Sequence, residues 1–405
     1  MKLSLKPDAR NALFIGFLCA CSYLAVYFAR NILSPVTPQM LASGFAETTV
    51  AALSSAYFMS YAVGQLINGG IGDRVKARYM VSIGLAMAGI CNLLVGLFAD
   101  VSAVLIVAYA ASGFFLSMIY GPMTRVIAEN TTPLYATRCS LGYTVASFLG
   151  TPLAGVAAAL HWRQVFSSGG LILVGMGTLC FIAFLAMERK GVVNYRPADL
   201  QKERGGDVRI LFERQIVKFS LVSIITGIIR TSVVFWLPTF INQYLGYSEE
   251  RSATVFTVAT FVIAATPFLS IALYERLGYH MERTMKIGFA LSVLSFLLVY
   301  FVKVPTLNII LMVAGIMTAN FAASMLWSTY CPSLKDTGLV SFATGFIDFV
   351  SYMGAAIANI VFANAVTSIG WGNLILVWAG LSLLGLCVSF MGKRIIIVNI
   401  ANKNS

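Results

Sequence analysis

Continuous apolar stretches of about 20 residues recur along the whole chain, and no other feature restricts its fold so strongly. A helix of that length crosses the roughly 30 Å hydrocarbon core of a bilayer. In hydrocarbon no water is present to satisfy backbone N–H and C=O groups, so only helices and closed barrels span it. These runs read as helices. They lie at 12–40, 49–71, 79–98, 102–127, 140–160 and 165–187, and again at 219–244, 253–274, 284–302, 306–330, 339–366 and 371–391. The polar stretch from Glu188 to about Lys218 divides six runs from six. The spacing predicts an all-α membrane protein of twelve transmembrane helices in two pseudo-symmetric six-helix bundles. Residues 1–187 form the first bundle, 188–218 a linker and 219–405 the second. The first run is longer than the apolar core of a signal peptide and is followed by further spans, so it reads as helix 1.

Composition removes the alternatives. Of 405 residues 59% are apolar and 11% charged, which leaves no room for a sizeable soluble domain. The net charge of +12 would suggest nucleic acid in a soluble chain, but its distribution points to a bilayer. With the N-terminus placed in the cytoplasm, 22 of the 28 Lys and Arg residues fall on the cytoplasmic side, three outside and three within apolar runs. A missed or extra helix would invert every later loop and destroy that bias. The expectation is an integral, multi-pass protein of the plasma (bacterial inner) membrane with both termini cytoplasmic, its partners being the lipid bilayer and a small anionic solute.

The halves echo each other. Between runs 2 and 3 lies Gly69-Gly-Ile-Gly-Asp73-Arg74-Val-Lys76-Ala-Arg78, and between runs 8 and 9 the weaker Leu273-Tyr-Glu275-Arg276-Leu-Gly278. Asp73 and Glu275 are 202 positions apart, and Arg30 and Arg230 are 200 apart, as in a duplicated six-helix unit.

Arg30 and Arg230 stand well inside runs 1 and 7, where a charge is costly and must face a cavity or a partner. Either a buried acid neutralises each, or together they bind an anion. The second reading is favoured, because neither run carries an acid of its own and the guanidinium fork matches phosphate oxygens. Tyr27 and Tyr23, three and seven positions before Arg30, share nearly its face and either donate hydroxyls to the ligand or pack as aromatics. Arg125 and Glu129 are four apart near the end of run 4, spaced for an ion pair more than for a ligand. Asp348, about ten residues into run 11, is either a charge partner for the cavity arginines or a proton-coupling group. Small residues in runs 5 (Gly150, Gly155, Ala157, Ala158) and 11 (Gly345, Gly354, Ala355, Ala356) permit close helix approach.

Six plus six helices, a basic central linker and a G-x-x-x-D-R-x-x-x-R loop resemble the major facilitator superfamily. The resemblance makes Gly69, Asp73, Arg74 and Arg78 a conformational latch between the halves, besides a positive topological anchor. Tyr23-x-x-x-Tyr27-x-x-Arg30-Asn31 and Arg230-x-x-x-x-x-Trp236-x-Pro238-Thr239-Phe240 narrow it. With Pro122-x-x-Arg125 and Tyr352-x-Gly354-Ala355, they are similar to the organophosphate:phosphate antiporters, the glycerol-3-phosphate and hexose-phosphate carriers. That likeness implies that Arg30 and Arg230 clasp phosphate, with Tyr23, Tyr27, Trp236 and Gln65 around the substrate. Two departures set the chain apart from the glycerol-3-phosphate carriers: Gln65 replaces a lysine of theirs, and Ser140–Leu160 lacks their histidine.

The expected function is transport of an organic phosphate or related organic anion by alternating access, in exchange for inorganic phosphate and as a monomer. The alternatives are a proton-coupled organic anion symporter, and a non-transporting sugar-phosphate sensor of the kind the resembled family includes. An enzyme is not expected, since no nucleophile–base pair, nucleotide loop or metal cluster is visible. Seven cysteines without paired spacing, and His161 and His280 isolated in connections, predict neither a metal site nor a cofactor.

Overall fold

In a computed structural model, residues 7–72, 75–98, 102–195, 209–334 and 340–391 are described. Among them the secondary structure is all helical. The first six rods are α1 (Pro7–Asn31 and Leu33–Ala42), α2 (Glu47–Gly72), α3 (Ala77–Leu97), α4 (Ser102–Leu116 and Tyr120–Asn130), α5 (Pro133–Ala157) and α6 (Trp162–Arg189). After a short helix, Arg209–Glu213, come α7 (Ile216–Gly227, Ile228–Val233 and Val234–Gln243), α8 (Glu249–Ala264 and Thr266–Arg276), α9 (Met281–Phe301) and α10 (Pro305–Met325 and Leu326–Tyr330). One continuous helical stretch, Val340–Phe390, is broken at Gly370, whose φ of 74° a residue with a Cβ rarely adopts. It supplies α11 (340–369) and α12 (371–390).

The rods match the twelve runs, with shifted ends. The fifth begins at Pro133, seven residues before the apolar run, and the polar stretch 188–218 is partly helical at both ends. Residues 196–208 of the linker lie outside the described residues, as do Asp73 and Arg74 of the expected latch.

Large apolar side chains cover the exterior: Phe17, Val107, Phe268 and Phe301 are each more than 65% exposed. Such a surface belongs against lipid. Polar side chains within the rods bond back to their own helix. Asn31 Nδ2 donates to the Tyr27 carbonyl at 2.6 Å, and Thr37 Oγ1 to the Leu33 carbonyl at 2.8 Å. Small residues set the tightest crossings. Cβ atoms added at Gly89 of α3 and Gly170 of α6 would meet the other's carbonyl oxygen at 2.6 and 2.7 Å.

Between the bundles, α2 packs on α11, α5 on α8, and the ends of α1 on α7. Ser34 Oγ donates to the Phe235 carbonyl at 2.8 Å, Ser55 Oγ to the Ala356 carbonyl at 2.5 Å, and Asn359 Nδ2 to Ser54 Oγ at 2.7 Å. Gln243 Nε2 donates to Glu47 Oε1 at 2.8 Å, while its Oε1 accepts from Trp371 Nε1 at 2.9 Å. Among the described residues these bonds, apart from Gln243–Trp371 within the second bundle, join the bundles in the half remote from the N-terminus, here called the distal half. The other half holds Arg78–Glu188 at 2.9 Å, Arg125–Glu129 at 3.0 Å and Lys218–Glu282 at 2.7 Å, each within one bundle. The bundles are therefore zipped distally.

Candidate functional site

Both cavity arginines sit where their helix is irregular. Proline lacks an N–H and its ring clashes with the carbonyl four residues back, so Pro35 and Pro38 disturb the bonds of Asn31 and Ser34. The α1 rod breaks at Ile32, two residues beyond Arg30. In α7 the corresponding Pro238 spoils the bond to Val234, and Arg230 lies in a π-helical segment, Ile228–Val233, just before it. Single-turn π segments are frequent at functional sites. Pro38 and Pro238 repeat the 200-residue offset of Arg30 and Arg230.

Arg30 is buried and enclosed by aromatic rings. Its guanidinium carbon is 5.3 Å from the Tyr27 ring centre, 5.4 Å from Phe58, 5.0 Å from Tyr61 and 4.5 Å from Tyr352. The Arg230 guanidinium is 5.7 Å from Tyr352, so one ring of α11 is shared by an arginine from each half. Cation–π contacts compensate a desolvated guanidinium only in part, by about 0.5–2 kcal/mol each. Among the described residues neither arginine has a carboxylate at ion-pair distance. Asp348 lies one turn before Tyr352 on α11 and feels the charge of Arg230 and, more weakly, of Arg30 without forming an ion pair. The arginines line a cavity of about 120 Å³ with Tyr57, Tyr109, Phe256 and Tyr352. An aromatic-walled hollow with two cations from opposite halves can hold an anion and contact both bundles at once.

The remaining expected residues divide. Tyr27 lines the cavity; Tyr23 extends its aromatic face, 5.0 Å from Tyr27 and 5.8 Å from Tyr120. Gln65 Nε2 donates to Tyr61 Oη at 2.7 Å, so it reaches Arg30 only through that ring. Trp236 is buried elsewhere: it faces Trp371, 6.4 Å away, inside the second bundle and does not line the cavity. Arg125 pairs with Glu129, and Arg125 stands 5.7 Å from the Tyr195 ring. Arg78 bonds Glu188 of its own bundle, and Gly69 lies within α2. Tyr195 Oη also donates to Glu188, and burial together with that carboxylate raises its phenol above the usual range.

Sequence reasoning missed Tyr57, Phe58, Tyr61 and Tyr109. The available signal was Tyr57 and Tyr61 on one face of run 2, but an aromatic in a spanning helix is by default packing.

A family model described as Major Facilitator Superfamily matches residues 19–359. Among curated relatives, "Membrane sensor protein UhpC" of Salmonella typhimurium is 24% identical over 400 residues, covering 89% of this chain and 88% of that protein. "Phosphoglycerate transporter protein" of the same organism is 22% identical over 396 residues, covering 89% and 84%. "Glycerol-3-phosphate transporter" of Bacillus subtilis is 22% identical over 394 residues, covering 90% and 88%. Of solved structures, a D-xylose-proton symporter superposes with a TM-score of 0.73 at 13% identity, over 93% of this chain and 97% of that one. A bacterial homologue of the human lysosomal transporter Spinster, inward-facing and occupied, gives 0.72 at 12%, over 96% and 97%. At such identities the two structures speak for the fold alone.

Proposed function

Since the chain belongs to the Major Facilitator Superfamily, we propose that it is a secondary carrier exchanging an organic phosphate for inorganic phosphate by alternating access. One observation carries the reading: Arg30 and Arg230, one from each half, meet at one cavity and share Tyr352 without a carboxylate at ion-pair distance among the described residues. When the cavity is empty the two cations repel, more strongly as closure expels water. A phosphate dianion cancels both charges and offers oxygens to both forks, so the loaded carrier closes and reopens on the other side. Exchange then outpaces net flux. Asp348 offsets part of the positive charge in the empty state.

In this reading 1–187 and 219–405 rock about the 188–218 linker, and the chain works as a monomer in the plasma membrane with both termini cytoplasmic. The cavity of the distally zipped state then opens to the cytoplasm, and the Gly69–Arg78 loop latches the halves when that side closes. Tyr23 and Tyr27 support the clasp from α1. The name of the sensor relative favours a second reading, binding of a sugar phosphate without transport.

Purified protein in proteoliposomes loaded with phosphate distinguishes these readings. Uptake of labelled phosphate, displaced by phosphate esters but not by plain carboxylates, is expected of an exchanger. Acid-driven uptake without an internal counter-solute would indicate proton symport. Ligand-induced thermal stabilisation with no flux would indicate a sensor.

A further inference from the structure

On the outer surface of the second bundle, α9 and α12 lie side by side. Gly385 of α12 has no Cβ and admits the Phe289 ring of α9, so the two rods touch along their buried faces. Their outer faces are apolar. On α9, Ile287, Leu291, Leu294, Leu298 and Phe301 recur every three or four residues and are exposed. One turn before Ile287, at the end opposite the zip, the same stripe reaches the exposed Arg283. Lys286 follows three residues later, and its Nζ is 4.2 Å from the ring centre of Phe390 at the end of α12. Phe390 and its neighbour Met391 are themselves exposed. Two cations therefore close one end of an apolar seam between the rods. Among the described residues neither has a carboxylate at ion-pair distance. The acid beside them, Glu282, is taken by Lys218 at 2.7 Å. The matching corner of the first bundle is built differently: Arg78, at the start of α3, is neutralised by Glu188 of α6 at 2.9 Å.

We propose that this corner of α9 and α12 is a binding site for an anionic phospholipid, in the leaflet on the side of the N-terminus. Position identifies the occupant. The two cations continue a face that lies against acyl chains, so a ligand that reaches both must be acidic at one end and apolar along its length. A lipid phosphodiester with its chains along Ile287 and Leu291 meets both demands; a soluble anion meets only the first. Basic side chains at the ends of spanning helices reach toward head groups in general. What sets this corner apart is the pair of uncompensated cations on one helix face, beside an exposed ring of the neighbouring rod. Each basic residue near the membrane surface is worth about fivefold in affinity for acidic lipid, so the pair is expected to give a preference of about tenfold or more.

The test uses the full chain with Cys387 as its one remaining cysteine. Cys387 is exposed on α12, three residues before Phe390, so a fluorophore attached there is quenched by brominated lipid that settles in the seam. The labelled protein is reconstituted in phosphatidylcholine liposomes containing either brominated phosphatidylglycerol or brominated phosphatidylcholine. Half-maximal quenching is expected at about one-tenth the mole fraction, or less, for phosphatidylglycerol. Arg283→Gln combined with Lys286→Gln should bring the two curves together, and each single variant should lose severalfold of the preference. Arg10→Gln removes an exposed cation at the same end of the first bundle and should leave the preference nearly unchanged. Equal quenching in the wild type, or a preference that survives in the double variant, overturns the site. A loss in Arg10→Gln as large as in the double variant would reduce it to diffuse surface charge and overturns it too. Inorganic phosphate added to the liposomes should not reverse the quenching; reversal would make the corner a site for a free anion and overturn the lipid.

Discussion

The two arginines set the charge of the cavity, and Asp348, which does not line it, feels the charge of both. Replacing Asp348 with Asn removes a carboxylate that acts on Arg230 while keeping shape, so the empty cavity becomes more positive. Phosphate should bind several-fold tighter, and net uptake should slow relative to exchange because the empty carrier recloses less readily. Saturation binding and paired flux assays read both; no change in either removes Asp348 from the charge balance. Arg30 and Arg230 were legible as single charges in apolar runs, because the cost of such charges makes them conspicuous. Tyr57, Phe58 and Tyr61 were not. On sequence their helix is indistinguishable from one whose rings face a neighbouring helix, and only the approach of α11 turns them into a cage.

The rods themselves were legible from apolar length, and their breaks were legible only where proline or glycine caused them. Pro35 and Pro38 account for the break in α1 at Ile32, and Gly370 for the break between α11 and α12. The π segment around Arg230 has no comparable sequence signature. Packing of α3 on α6 depends on paired glycines, whose reciprocal backbone contacts leave no space for a methyl group. Gly89→Ala should therefore force the rods apart at a cost of about 1–3 kcal/mol, lowering the thermal midpoint in detergent. Gly175→Ala, on α6 but in open space, is the control and should leave the midpoint nearly unchanged. Equal midpoints for both variants would show that the crossing is not limited by these backbones.

At the scale of the whole molecule, the described residues join the two bundles through distal hydrogen bonds, which in the alternating-access reading bias the carrier toward one of its states. Duplicated architecture was readable from the 200-residue offset of the arginines. Which end is zipped was not, because the same helices pack in both states and only the tertiary contacts differ. Removing two ties in Ser55→Ala with Asn359→Ala should shift the population about thirtyfold toward the distally open state, at about 1 kcal/mol per bond. A lone cysteine at Thr151, which lines the cavity, should then react faster with an impermeant thiol reagent added from the distal side of an otherwise cysteine-free protein. An unchanged labelling rate would mean that these bonds do not hold the distal gate.

The central claim is that Arg30 and Arg230 form one dianion site and that their mutual repulsion makes the protein an exchanger. It is tested most directly by the ratio of labelled phosphate uptake into phosphate-loaded and phosphate-free proteoliposomes. Wild-type protein should show a ratio of about ten or more. Lysine keeps the charge but loses the bidentate fork, so Arg30→Lys and Arg230→Lys should each lower phosphate affinity about tenfold or more. A ratio near one for the wild type, or wild-type affinity in both lysine variants, would contradict the account.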